Sequence, residues 1–351
     1  MKRMMIIFVS VLCLAALTGC HEGDLQQFYI VTAAAVDVED GRYKLTLEGS
    51  ANRLDESKNP RPALQTGRGE TITQCLQDIQ SRSGNLPYMR HSILIALSQA
   101  SINEVLDELV EYIQGEDSIR LNVRAVMAKE GEAAMLLNDS EFASSRILKS
   151  FTGGAKRLTT ADVQLYDLMY CLDSPGIDGW MPVSGHEGTE GIALLSDYSY
   201  AGYLEPRLVP SFLMMTGKAE GGSLTAEVGG KYVSFSLTDC SRRLDVSLVN
   251  GVPRVSVGIK ADFRLRDMPE HTAEVYEAAL EKRLVSEGHE VFEQLKASAC
   301  DALGAGQQLS RLSPSVWEQA EGRWHEIFSQ AELELDIDCR LESRGKTEGM
   351  E

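Results

Sequence analysis

The sequence predicts an α+β protein whose sheets are mixed or largely antiparallel. Three observations predict it. Residues 28–172 alternate short strand-like runs with amphipathic helical patterns, residues 192–266 are rich in strands punctuated by glycine pairs, and residues 274–303 hold one long helical repeat. The expected layout is a signal (1–19), a tether (20–27), an N-terminal α/β domain (28–172), a linker (173–191), a strand-rich middle domain (192–266), a C-terminal domain with the long helix (267–344) and a tail (345–351).

The chain opens as an export signal. Lys2 and Arg3 precede an apolar run from Met4 to Leu17, too short for a membrane span of roughly 20 residues. Leu17-Thr18-Gly19-Cys20 then resembles a bacterial lipobox. In lipoproteins of that kind the cysteine sulfur is diacylated and the chain is cut before it, here between Gly19 and Cys20. Two acyl chains give a stable anchor where one gives marginal binding. Simpler alternatives are a plain secretory signal with a chance cysteine, or an N-terminal helix kept in the core.

Beyond a polar tether, Tyr29–Val38 reads as a strand, Asp40-Gly41 as a hairpin turn, and Tyr43–Glu48 alternates as a half-buried strand should. Arg53–Gly69 reads as loop, with Asn59-Pro60 and Pro62 as breakers. Thr71 opens a helix with Ile72, Leu76 and Ile79 on one face, and Ser83-Gly84-Asn85 closes it. Ser92–Leu97 is a buried strand. Ser101 and Glu104 form a capping box for a helix carrying Val105, Leu106, Leu109, Val110 and Ile113. Leu121–Ala128 is a strand; Glu130–Leu137, Ser140–Lys149 and Ala161–Leu172 read as helices. Asp173–Gly191, with Pro175, Pro182 and five glycines, reads as a long loop or linker.

Five strands follow, at Ile192–Leu195, Ser223–Val228, Tyr232–Thr238, Arg243–Leu248 and Val255–Leu265, as a small antiparallel sheet. Leu280, Leu284, Val291, Leu295, Ala299 and Leu303 keep helical spacing. Ser315–Phe328 is a shorter helix with Trp317 and Trp324, and Leu333–Leu341 a last alternating strand.

Composition limits function. Formal charge is −18, and losing Lys2 and Arg3 with the signal moves it to −20. That opposes nucleic-acid binding and electrostatic adhesion to anionic lipid, which leaves anchoring to the acyl chains. Cys13 leaves with the signal and Cys20 carries lipid. Cys75, Cys171, Cys240, Cys300 and Cys339 remain, without a CxxC. Buried thiols acting as small hydrophobes explain them best. An exported compartment permits one or two disulfides among them, and spacing does not choose the pairs.

No catalytic motif is present, and no cofactor or metal is expected. Local candidates are His186-Glu187 with Glu190, as metal ligands or an acid–base set for an exported hydrolase, and His325-Glu326, better explained as a solvated helix face. Gly304-Ala305-Gly306 follows the long helix and reads as a helix stop, with Asp301 a neighbour at that helix end.

Several short motifs recur in one order: Asp24-Leu25, Asp40-Gly41 with Tyr43-Lys44-Leu45-Thr46, Gly69-Glu70-Thr71-Ile72, His91-Ser92-Ile93-Leu94-Ile95, Gly191-Ile192-Ala193, Gly202-Tyr203-Leu204, Leu303-Gly304-Ala305-Gly306, and Pro314-Ser315-Val316-Trp317 with Trp324. Together with the lipobox, that order resembles the Ger(x)C family, the C-subunit lipoproteins of spore germinant receptors. Two positions depart from the family pattern: His21-Glu22 replaces Trp-Asp, and Ala305 replaces an aromatic residue. The resemblance implies three mixed α/β domains and a non-enzymatic subunit working with membrane A and B subunits in the spore inner membrane, in response to small nutrients. The alternative is a solute-binding lipoprotein of a membrane transporter, although no pair of similar lobes is visible in the chain.

Overall fold

The computed structural model describes residues 28–51, 62–138, 141–155, 158–185, 188–266 and 270–342. The signal, Cys20, Asp24-Leu25 and the His186-Glu187 pair lie outside these residues.

β1 (Phe28–Glu39) and β2 (Arg42–Ala51) form an antiparallel hairpin. Its turn holds Asp40 at φ 53° and Gly41 at φ 73°, the left-handed pair that matches strand twist. β3 (Ala63–Gly69) pairs beyond β2, so the loop expected over residues 53–69 ends as an edge strand. Its exposed, polar residues gave no alternation to read.

On the other side of β1 lie β5 (Leu94–Leu97) and β6 (Arg124–Ala128), all parallel, with the short β4 (Leu86–Tyr88) also pairing β1. β7 (Trp180–Gly185) joins parallel to β6, and β8 (Gly188–Ser196) and β9 (Ser199–Leu204) complete a nine-stranded sheet as an antiparallel meander. Residues 173–191 are therefore not a linker but carry β7 and the start of β8. Backbone pairing with β6 overrides their glycines and prolines, and Trp180, Met181 and Val183 are buried. Ile192–Leu195, expected in the middle domain, belongs to this first sheet for the same reason.

α1 (Ile72–Ser83) and α2 (Gln99–Gly115) cover one face of the sheet. Cys75, Ile79, Leu106 and Leu109 pack there with Val31, Val36, Leu45 and Leu97. Thr71 caps α1, and left-handed Gly84 ends it, as expected. The cap of α2 is Ser98 and not Ser101: the Ser98 hydroxyl accepts the Ser101 N–H at 3.2 Å. On the opposite face α3 (Ala143–Ala155) lays Ile147 and Phe151 over Ala33, Ala35, Leu94 and Val126. Burial on both faces explains the apolar composition of these central strands. The helix expected at Glu130–Leu137 is a 3-10 turn over Ala133–Leu137, and that expected from Ala161 is α4 (Leu165–Asp173).

Two buried carboxylates on the hairpin close helical N-termini. Asp37 accepts the Ala133 and Ala134 N–H groups at 2.6 and 3.0 Å. Glu48 accepts Ala143 N–H at 2.6 Å and the Thr32 hydroxyl at 2.7 Å, and the Ser144 hydroxyl also donates to it. A helix start exposes unpaired N–H groups and partial positive charge, which a carboxylate satisfies.

A second sheet runs β10 (Gly222–Val228), β11 (Lys231–Val249), β12 (Val252–Leu265), β13 (Glu332–Leu341). β11 fuses two expected strands through an irregularity at Leu237/Asp239. The sheet is mixed, because β13 returns parallel to β12. α6 (Ala273–Ala297) buries Leu280, Leu284, Val291 and Leu295. It stops at Ser298, before left-handed Ala299, and does not reach Leu303. α5 (Val209–Thr216), almost wholly buried, connects the two sheets. The expected helix over Ser315–Phe328 is split into α8 (Pro314–Ala320) and α9 (Trp324–Phe328), after α7 (Ala305–Leu312).

Candidate functional site

Two of the polar residues that sequence reading named near the C-terminus, Asp301 and His325, meet at Asp178. Gly304 is not a helix stop but the left-handed residue, φ 74°, from which α7 starts. Asp301, fully buried, lies three residues ahead of it. Its carboxylate accepts Ala305 N–H at 2.9 Å, Gly306 N–H at 2.8 Å and the Trp324 indole N–H at 2.9 Å. The anion-binding geometry of a helix N-terminus is thus present and is occupied by the chain's own aspartate. Burial pushes the Asp301 carboxyl up, to about 6, against the pull of these donors.

The loop before β7 locks onto this turn. The Asp178 carboxylate accepts Asp301 N–H at 2.6 Å, Asp178 N–H donates to the Asp301 carbonyl at 3.0 Å, and Gln307 N–H donates to the Gly176 carbonyl at 2.7 Å. A Cβ on Gly306 would lie 2.6 Å from Trp324 Nε1 and 2.7 Å from both Gly176 Cα and Trp317 Cζ3. Only glycine allows this approach. The Trp317 and Trp324 rings meet edge to face at 5.4 Å.

His325 is not on a solvated face. Its Nε2 lies 3.0 Å from Asp178 Oδ1 and its Nδ1 3.3 Å from Asp197 Oδ2. The Asp178 contact holds the imidazolium above the usual histidine range. Glu326, by contrast, points away and pairs with Arg323 at 2.9 Å. From β11, Arg242 donates to the Met215 carbonyl at 2.8 Å and to the Leu303 carbonyl at 3.3 Å, and burial lowers its pKa. Beside it opens a cleft of about 480 Å³ between the two sheets. Two of its carboxylates have cationic partners: Asp162 meets Arg124 at 2.8 Å, and Asp167 meets Lys218 at 3.8 Å.

Chemically this is a latch. Each carboxylate oxygen of Asp301 faces donors of its own chain, which leaves no open position for a substrate. Glu190, the described member of the other candidate set, pairs with Lys129. Among the described residues no three His, Cys, Asp or Glu side chains converge on a metal position. No described helix is long and apolar enough to cross a membrane. The five described cysteines are free. Cys240 and Cys339 both flank Ala261 in the ladder, two strand spacings and about 10 Å apart, beyond disulfide reach.

Sequence reading placed Asp301 only as a neighbour at the end of the long helix, and it missed Asp178. An acid just ahead of Gly-x-Gly was a usable signal, since a carboxylate belongs at a helix start. Asp178 carried none, because only the tertiary fold brings residue 178 to residue 301.

Comparison with known proteins decides the family. Residues 22–184 match the model "Spore germination protein N-terminal domain", and residues 190–345 match "Spore germination B3/GerAC like, C-terminal". The chain belongs to the Ger(x)C family. Spore germination protein B3 of Bacillus subtilis (strain 168) is 20% identical to this Ger(x)C chain, over 93% of the chain and 94% of that protein. The crystal structure of the GerBC protein shares the fold, with a TM-score of 0.61 at 16% identity, covering 88% of the chain and 97% of that structure. Gly304, Gly306, Trp317 and Trp324, among the residues on which the resemblance rested, build the latch. Ala305, between the two glycines, is fully buried and contributes its N–H to Asp301.

Proposed function

We propose that this Ger(x)C chain is a lipid-anchored, non-enzymatic subunit of a spore germinant receptor, contributing to nutrient-triggered germination. The observation that carries the reading is the match of both family halves, in order, along nearly the whole chain. The export signal and the Leu17–Cys20 lipobox support anchoring on the extracytoplasmic face of a membrane, the spore inner membrane for a receptor of this kind. A net charge of −18 supports acyl chains over electrostatics as the means of attachment. The latch around Asp301 supports a scaffold role, because its polar groups are spent on one another. The partners are the membrane A and B subunits.

Replacing the anchor tests the reading. Cys20→Ala should release the protein from membranes and reduce nutrient-triggered germination. Full membrane retention with unchanged germination would overturn it.

A further inference from the structure

β1 starts at Phe28, eight residues after Cys20. An extended chain spans about 3.5 Å per residue, so Phe28 lies within about 28 Å of the acylated sulfur. The end of the first sheet that carries Phe28 is therefore confined near the bilayer.

That end has a surface suited to it. Phe28 pairs with Leu86 and Ile30 with Tyr88 in parallel register, so these four side chains share one face. Leu86 is 45% exposed, and the other three are half-buried. Phe28 and Tyr88 meet edge to face at 5.7 Å, and Tyr88 meets His91 at 5.6 Å. The intervening Tyr29 turns to the opposite face, where its hydroxyl donates to the Leu47 carbonyl at 3.1 Å.

The local charge also departs from the rest of the chain. In a protein of formal charge −18, no acid occurs from Ile79 to Asn103 or from Phe28 to Val36. Exposed Arg90 and His91 stand at the rim of the apolar strip. Tyr88, Arg90 and His91, each with an apolar body and a polar tip, suit the headgroup boundary, and Phe28, Ile30 and Leu86 add apolar surface beside them. Tethering raises the effective concentration of this strip at the membrane, so a contact too weak to bind free protein suffices to orient an anchored one.

We propose that the strip formed by Phe28, Ile30, Leu86 and Tyr88, with Arg90 and His91 at its rim, rests on the lipid headgroup boundary and fixes the orientation of the anchored protein. The proposal rests on the Cys20 anchor.

The test uses the full chain, produced in a bacterium that processes lipoproteins and reconstituted into phosphatidylethanolamine–phosphatidylglycerol vesicles with or without brominated acyl chains. Leu86→Trp and Tyr88→Trp place an indole in the strip. Leu312→Trp places one at another exposed apolar position, on α7. The unsubstituted protein, with buried Trp180, Trp317 and Trp324, gives the background. Brominated lipid should quench the Leu86→Trp and Tyr88→Trp indoles by about half, as burial at the headgroup–acyl boundary implies, and leave the Leu312→Trp indole unchanged. Vesicle flotation without quenching would overturn the lipid contact and leave the anchor standing. Loss of flotation, with no acyl mass on Cys20, would overturn both. Protection of the strip only after co-reconstitution with membrane subunits would assign it to a protein partner and overturn the lipid contact.

Discussion

The Asp178 carboxylate accepts the backbone N–H of Asp301 at 2.6 Å, and the Asp178 N–H returns a bond to the Asp301 carbonyl at 3.0 Å. Through this reciprocal pair the loop entering β7 of the first sheet is joined to the turn that starts α7. The Asp301 carboxylate is left to hold Ala305, Gly306 and Trp324.

Removing that carboxylate should loosen the joint. Asp301→Ala leaves two buried backbone N–H groups and the indole N–H without acceptors, each costing about 1–3 kcal/mol. Urea denaturation of the mature protein should show a loss of about 3–5 kcal/mol. A loss near that of an ordinary surface substitution, about 0.5 kcal/mol, would contradict the latch.

Close approach of Gly306 to Gly176, Trp317 and Trp324 predicts a steric effect. Gly306→Ala should cost about 1–3 kcal/mol, because two tryptophans and a backbone must move together. Gly322→Ala is the control. A Cβ there meets no atom within 4 Å. Thermal denaturation of both variants makes the comparison.

The latch should weaken as pH rises. His325 binds its proton more tightly folded than unfolded, with Asp178 as the leading cause. Its stabilisation is therefore complete below an unfolded pKa of about 6.5 and is lost as pH climbs through the higher folded value. Asp301, at about 6 against an ordinary 3.8, also holds its proton more tightly folded, and so makes stability fall with rising pH between those values. The Tm difference between the native protein and His325→Gln should be largest below about pH 6.5 and shrink above it. A difference that grows with pH would reverse the assignment.

Much of the fold was legible from local signals. Asp40-Gly41 specified the hairpin, Thr71 and Gly84 bounded α1, and the spacing of Leu280, Leu284, Val291 and Leu295 gave α6. The failures share a physical cause. β3, β7 and the start of β8 are held by neighbouring strands against their own glycines and prolines, so their pairing has no local signature. Ser101 was preferred as a cap because Glu104 follows at the right spacing, yet Ser98 makes the bond. At the latch, Trp317, Trp324 and the glycines were visible as motifs. Their purpose was not, because it depends on Asp178 arriving from more than a hundred residues away.

The thiols give a check that spans fold and anchor. Cys75, Cys171, Cys240, Cys300 and Cys339 are free. Burial pushes Cys75, Cys171 and Cys240 up to about 11 and Cys339 to about 12, and raises Cys300 as well. The native protein should alkylate slowly at neutral pH, since the thiolate is the reactive form. Unfolded without reductant, it should show five reactive thiols if Cys20 carries lipid, six if residues 1–19 are removed and Cys20 is bare, and seven if they are retained with Cys13.

The central claim is membership of a membrane receptor. Its most direct measurement is a pull-down of the tagged protein from detergent-solubilised spore membranes, with mass spectrometry of the co-purifying chains. The account predicts recovery of two multi-span membrane proteins, the A and B subunits. Recovery of a permease together with an ATPase, or of the lipid-modified protein alone, would contradict it.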